Sequence, residues 1–258
     1  MPGMMTMTLF LIGLLALCLL PWRAKGRLAA LMLGVLVLMV QVLGMAHMPP
    51  GYLSLPGSLW LMATGVLAGA LLAFMPRWPQ GWRVSLLAMP LALVYALLAL
   101  LAQLKGSDVH VLQAVWLRVH IWAGIAAASV FTLAASSAAL VLTRIGYLKA
   151  RATSAFSRLL PGLEDAEALQ TFYMALGALF LLVALLAGGL ARQQLGESFW
   201  GHDGKSLLTY GVFAWVLALL AAHQAFGQRG RRAAQGVWFV CLAVWVLYFV
   251  AQVMPFLS

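Results

Sequence analysis

The chain has 258 residues, of which 64% are hydrophobic and only 9% charged, with a net charge of +10 and a mean hydropathy of +0.99. A soluble domain carries about a quarter charged residues, so the composition excludes an ordinary globular protein in water. The basic balance sits in short connections between apolar runs, which points to membrane topology and not to nucleic acid.

Runs of roughly 20 apolar residues recur along the whole sequence, as transmembrane helices require. Alternating strands of the barrel type do not occur in the pattern. The expected class is therefore all-α, a polytopic membrane protein of about eight spans. In chain order these are 4–22, 28–47, 58–75, 84–104, 111–146, 168–191, 206–225 and 233–255. The first opens "MPGMMTMTLFLIGLLALCLLPWRAKGR", with basic residues only after the apolar stretch. That is the reverse of a secretory signal, and it predicts a retained span. "MPPGYLSLPG" and "MPRWPQGW" stop helices with Pro and Gly. The fifth run exceeds one crossing and is expected to project into water at its inner end. "LPGLEDAEALQTF" places Glu164, Asp165 and Glu167 at the start of the sixth span, where carboxylates favour the positive helix end. Cys18 and Cys241 both lie in apolar runs and form no CxxC or disulfide framework.

Lysine and arginine fix an orientation. Connections one, three, five and seven hold Arg23, Lys25, Arg27, Arg77, Arg83, Arg144, Lys149, Arg151, Arg158, Arg229, Arg231 and Arg232. The other side has Lys105, Arg192 and Lys205, with Arg118 inside the fifth span. Twelve against four puts the odd connections in the cytoplasm and both termini on the external (periplasmic) side.

Five histidines are present: His47, His110, His120, His202 and His223. His47 and His110 fall at external span ends, where a polar ring needs no function. His120 follows Arg118 within an apolar helix, and ionisable groups there are functional candidates by default. Trp116, His120 and Gly124 share one helical face, with Phe131 nearby. A small residue one turn below the imidazole leaves room for a flat ligand, and the aromatic one turn above would cover it. The plain alternative is a histidine bonded to a neighbouring carbonyl, with Gly124 serving helix packing. His223 lies seventeen positions after Ser206, roughly 26 Å along a helix, hence near the cytoplasmic end. His202 belongs to "SFWGHDGK", the external connection between spans six and seven. There Phe199 and Trp200 also fit an interfacial aromatic belt, and Asp203 also fits a helix cap.

No carboxylate pair inside a span, Ser–His–Asp arrangement, P-loop or HExxH appears. Histidines, aromatic rings and external cations suit a large, flat, anionic, metal-containing molecule. Haem fits: imidazole ligates iron, aromatics pack the macrocycle, and Arg or Lys pairs with propionates.

The order of parts is familiar. "LRVHIWAGIAAASVFTLAA" is followed by "LPGLEDAEALQTFYMALG", then by "SFWGHDGKSLLTYGVFAWVLALLAAHQAFGQRGRR" and "WFVCLAVWVLYFVAQ". This resembles the cytochrome c assembly superfamily of haem-handling membrane proteins (CcsA and CcmC type), closest to its HemX-like, YpjD-like branch. The resemblance covers residues 110–256; the first four spans match in hydropathy and number. It divides the chain into a four-helix membrane region, 1–105, and a haem-handling region, 106–258. It implies non-covalent haem b, a multi-pass protein of the bacterial cytoplasmic (inner) membrane, and a reduced Trp-rich loop in which Trp200 and Asp203 remain. His120 matches the family's external-side histidine and His223 the histidine of the span after that loop. Both are candidate iron ligands, though not necessarily of one haem, because axial ligands of one iron lie only about 4 Å apart. His202 offers an easier external partner for His120, Trp116 and Trp200 would pack the ring, and Arg118 or Lys205 would meet propionates.

Three functions follow as expectations. The first is haem handling in cytochrome c maturation, without bond-making catalysis, alongside other assembly proteins. The second is a HemX-like regulator of a haem-biosynthesis enzyme, glutamyl-tRNA reductase, working through the connection from Arg144 to Leu163. The third is a transporter, for which Gly188–Gly189 is the only adjacent glycine pair inside a span.

Overall fold

A computed structural model describes residues 2–19, 27–46, 52–53, 55–104, 110–111, 114–151, 154–226 and 230–253. Their elements run α1 (Pro2–Leu19), α2 (Arg27–Ala46), β1 (Tyr52–Leu53), α3 (Leu55–Leu72) and a 3-10 turn (Gly81–Val84). They continue with α4 (Ser85–Leu104), β2 (His110–Val111), α5 (Val115–Lys149), α6 (Ala155–Leu159), α7 (Leu163–Gln194), α8 (Gly204–Phe226) and α9 (Arg231–Val253). The described residues are helical apart from connecting turns and one two-residue antiparallel pair, in which Tyr52 faces Val111 and Leu53 faces His110.

Among the described residues four stretches are long and apolar enough to cross a membrane: Gly81–Gln103, Val115–Lys149, Leu163–Gln194 and Gly204–Ala225. Thr8–Cys18, Arg27–Val42 and Pro56–Leu72 are shorter apolar helices. Large apolar side chains stand exposed on α2 (Leu28, Met32, Leu36, Met39) and on α8 (Leu207, Leu208, Trp215, Leu217). Water would penalise such surfaces, whereas lipid accepts them. The chain is a membrane protein.

The long helix of the middle region differs from its expected bounds. It begins at Val115, not 111, because His110 and Val111 spend their backbone on the strand pair with β1. It ends at Lys149, and its 35 residues reach roughly 52 Å, well beyond a hydrocarbon core of about 30 Å. α7 likewise extends to both sides of its expected 168–191, starting on Leu163 with Glu164 and Asp165 in its first turn.

α5 is the axis of the bundle. Its stretch from Ala127 to Ala138 is buried throughout, and it is made mostly of Ala, Ser and Thr. Small side chains let helices approach closely where no water drives them together. The buried hydroxyls are satisfied within the helix: Ser129, Thr132, Ser136 and Ser137 each donate to a carbonyl four residues back, at 2.8–3.0 Å. α3 meets α5 through glycines. A Cβ on Gly65 would lie 2.5 Å from Ser129 Oγ, and one on Gly69 2.2 Å from Leu133 Cδ1. α7 meets α5 at Gly177, where the Phe131 ring occupies the place of a side chain. Phe131 is therefore core, packed on α7 from the same face of α5 as His120, about three turns further along. Tyr173 donates to the Gly69 carbonyl at 2.9 Å and ties α7 to α3. The continuous core takes residues from both sides of position 105, from Phe10 and Trp60 to Phe131, Tyr173 and Val244.

This packing makes Gly177→Ala destabilising by about 1–3 kcal/mol, since its Cβ would come within 2.8–3.0 Å of the Phe131 ring. Equilibrium unfolding in mixed micelles should show the loss. Adding Phe131→Leu should recover part of it, because the two positions are in contact.

Candidate functional site

His120 sits half-buried in the second turn of α5, one side of its ring against α7. Its Nδ1 lies 2.7 Å from the Ala184 carbonyl oxygen. A carbonyl only accepts, so Nδ1 carries the proton and donates. In the neutral ring that leaves the Nε2 lone pair free, and His120 has no other hydrogen bond among the described residues. The approach depends on Gly188: a Cβ there would stand 2.9 Å from His120 Nδ1. This is the arrangement of metal-binding histidines, in which the second nitrogen is held by a carbonyl and the ring orientation is thereby set.

Beside the imidazole is a cavity of about 200 Å³ between α3, α5, α7, α8 and α9. Its wall includes Gly124, Ala128, Leu181, Ala184, Val244 and Tyr248. Gly124 has nothing within 4 Å of where its side chain would be, so it borders open space and not a packed helix. At the α3–α9 side the Ser58 and Tyr248 hydroxyls hydrogen-bond each other. The lining is thus apolar apart from one imidazole and a few hydroxyls. Trp116 shares the His120 face and is 38% exposed, and Arg118 is half-buried two residues earlier on α5. Neither lines the cavity.

The connection carrying "SFWGHDGK" is a structured cap on α7 and α8. α7 ends in a Schellman motif: Gly196, at φ +78°, donates to the Gln193 carbonyl at 3.0 Å, and Glu197 donates to that of Arg192, also at 3.0 Å. Arg192 then organises the turn. Its Nη1 donates to Asp203 Oδ1 at 2.7 Å and to Ser206 Oγ at 3.1 Å, while Glu197 stands 3.2 Å from its Nε as an ion pair off the N–H axis. Asp203 is the N-cap of α8, accepting from the Ser206 backbone N–H at 3.3 Å and its hydroxyl at 2.7 Å. Phe199 fills the notch at Gly189, and Trp200 stands edge-on to Phe199 and Tyr210, at 5.1 and 5.8 Å, with 60% exposure. Gly201 is required because a Cβ would strike Arg192 Nη1. His202 is exposed. Trp200, His202 and Asp203 all stand apart from the residues lining the His120 cavity; of α8, only Thr209 reaches it.

His223 Nε2 lies 3.4 Å from Thr171 Oγ1, near the other end of α7. Ala184 and Thr171 are thirteen residues apart on that helix, roughly 20 Å at 1.5 Å per residue. His120 and His223 therefore serve separate places. His223 borders a space of about 420 Å³ that also meets Arg77, Glu164 and Glu167. Among the described residues no group of three or more His, Cys, Asp or Glu stands ready to hold a bare metal ion. His110 is in β2, and His47, Arg23, Lys25, Lys105 and Arg229 lie outside the described residues.

Two features had no place in the site as read from the sequence. Gly188 and Gly189 are adjacent because one receives the His120 ring and the other the Phe199 ring. Arg192, read as a topological minority charge, is the hub of the α7–α8 turn. The only early signal of either was the rarity of a Gly–Gly step and of an arginine on that side.

The hydrogen bonds of Ser206, and then of Arg192, hold the Asp203 carboxyl down to about 2. Since this value is below that of a free carboxyl, near 3.9, the cap is complete above about pH 4 and lost as pH falls toward 2. Hydrogen exchange of residues 204–208 should follow that course. Asp203→Ala should abolish the protection at neutral pH, by about 1 kcal/mol or a roughly fivefold faster exchange.

No family model matches the chain, and no solved structure does. Over 196 residues, 74% of this chain and 71% of the relative, it is 26% identical to an uncharacterized 28.8 kDa protein in the nifR3-like 5′ region of Azospirillum brasilense.

Proposed function

We propose that this protein binds haem in the bacterial inner membrane and handles it in the manner of the cytochrome c assembly proteins, with His120 as an axial ligand. In this reading the eight long helices all cross the bilayer, both termini are periplasmic, and His120 stands in the outer half. One observation carries the proposal. The Ala184 carbonyl takes Nδ1–H, which in the neutral ring leaves the Nε2 lone pair unengaged, and this histidine lines an apolar cavity beside the open flank of Gly124.

The donor set would offer the iron one imidazole, that of His120. Imidazole Nε2 with a carbonyl-held Nδ1 is a good ligand for iron, and an apolar surround raises the affinity for a hydrophobic macrocycle. The cavity, at about 200 Å³, is below the roughly 300–1,000 Å³ of enclosed ligand sites. It takes part of the ring, leaving the remainder on its open side. Bound haem would supply an iron centre for one-electron chemistry or for delivery to another protein. This chain would orient it through α5 and α7, exclude water with Leu181, Val244 and Leu247, and offer Trp116 as a packing surface. His223, roughly 20 Å away along α7, contributes nothing to that haem. Trp200 and Asp203 serve by shaping the turn that closes α7 on α8, and His202 remains on its exposed surface.

Protein purified in mild detergent and supplied with haem should develop a Soret band. His120→Ala and Gly124→Leu should each lose it, the first by removing the ligand and the second by filling the space beside it, whereas His223→Ala should keep it. A chain that takes up no haem, or that binds it equally well without His120, contradicts the proposal.

A further inference from the structure

At the opposite end of the bundle from His120, the connection after α3 folds against the inner end of α5 and against α6. The contact is a clasp of main chain and side chain. Gln80 donates its backbone N–H to Asp165 at 2.8 Å and receives the Gly162 N–H on its side-chain carbonyl at 2.9 Å. Arg83 Nη1 donates to the carbonyls of Leu160 and Arg158, at 2.9 and 3.1 Å. Arg144 Nη1 donates to the Ser157 carbonyl at 2.7 Å. Two guanidinium groups are thus fixed side by side by successive carbonyls of one short segment.

The clasp borders an open cavity of about 540 Å³, within the size range of small-molecule sites. Four arginines line it: Arg83, Arg144, Arg151 and Arg158, with Gln80 and Tyr147. Among the described residues none of these four makes an ion pair. Asp165, beside the cavity, is already engaged by Gln80. The Arg83 Nε is buried without a hydrogen-bond partner, though its Nη1 is fully used. Arg151 adds an independent sign. It is the one described non-glycine residue with positive φ, +48°, directly after the C-cap of α5. Glycine is the usual occupant of that conformation. The Arg151 side chain lines the cavity.

Four like charges held together with no carboxylate among them are self-repulsive, and an anion relieves the repulsion. Forked guanidinium groups held by carbonyls match the geometry of a phosphate, which accepts paired N–H bonds from several directions. Leu148 and Leu160 add an apolar border to the same cavity. We infer that this cavity is a phosphate-binding site, taking the phosphate of an anionic phospholipid headgroup or of a soluble phosphate compound. This goes beyond the haem proposal and does not depend on it.

The test uses the full chain in mild detergent and in nanodiscs. One arm titrates inorganic pyrophosphate and follows the thermal unfolding midpoint. The other compares nanodiscs of phosphatidylglycerol with nanodiscs of phosphatidylcholine and counts retained lipid by native mass spectrometry. Arg151→Gln with Arg158→Gln is the informative variant, since neither side chain holds the clasp; unchanged circular dichroism and midpoint without ligand verify its fold. The inference expects saturable binding in at least one arm, weakened roughly tenfold or more in the variant. Binding in the pyrophosphate arm identifies a soluble ligand, and binding only with phosphatidylglycerol identifies a headgroup. No binding in either arm overturns the inference, as does equal binding by the variant.

Discussion

Small residues let α5 and α7 run side by side closely enough for an imidazole on one to reach a main-chain carbonyl of the other. That approach is the constraint on which the rest depends. Gly177 accepts the Phe131 ring in the middle of the interface, and Gly188 accepts the His120 ring near its end. Between them on α5 the buried Ser129 hydroxyl donates to its own helix, at the Ile125 carbonyl, and asks nothing of α7. Widen the interface by a methyl group and the Nδ1–carbonyl bond lengthens, the tautomer is no longer imposed, and the free nitrogen is no longer assured.

The same two helices also fix both ends of the molecule. At one end α7 stops in a Schellman motif, and Arg192 holds Glu197, Asp203 and Ser206 around a turn whose glycines leave space for guanidinium and ring. At the other, the C-terminal end of α5 carries Arg144 into contact with the segment before α7. The α7–α8 turn balances its charge with carboxylates. The clasp spends its carboxylate, Asp165, on the Gln80 backbone and leaves its arginines without an ion pair, which is why one end reads as a cap and the other as a site.

Much of this was legible in the residues. Apolar runs marked the long helices, because a membrane span must satisfy its backbone internally and so must be helical. Glu164 and Asp165 marked the start of α7, and Asp203 the start of α8, since carboxylates at those places answer the helix dipole and its free N–H groups. The open flank of Gly124 followed from its spacing to His120. What spacing does not carry is contact between distant segments. Nothing in "LLAGGLAR" says which ring each glycine will receive, and "MPRWPQGW" gives no hint that Gln80 and Arg83 will meet residues 157–165. The strand pair of Tyr52–Leu53 with His110–Val111 is hidden for the same reason, and it is what shortens α5 at its start.

The account turns on the protonation of one ring, which can be measured without any ligand. In protein labelled with ¹⁵N-histidine, His120 is assigned by the signals lost in His120→Gln. In its neutral form the ring should carry its proton on Nδ1 and none on Nε2, the reverse of the tautomer favoured by a free imidazole. A neutral ring protonated on Nε2 would contradict the account, because that nitrogen would then have no lone pair to offer a ligand.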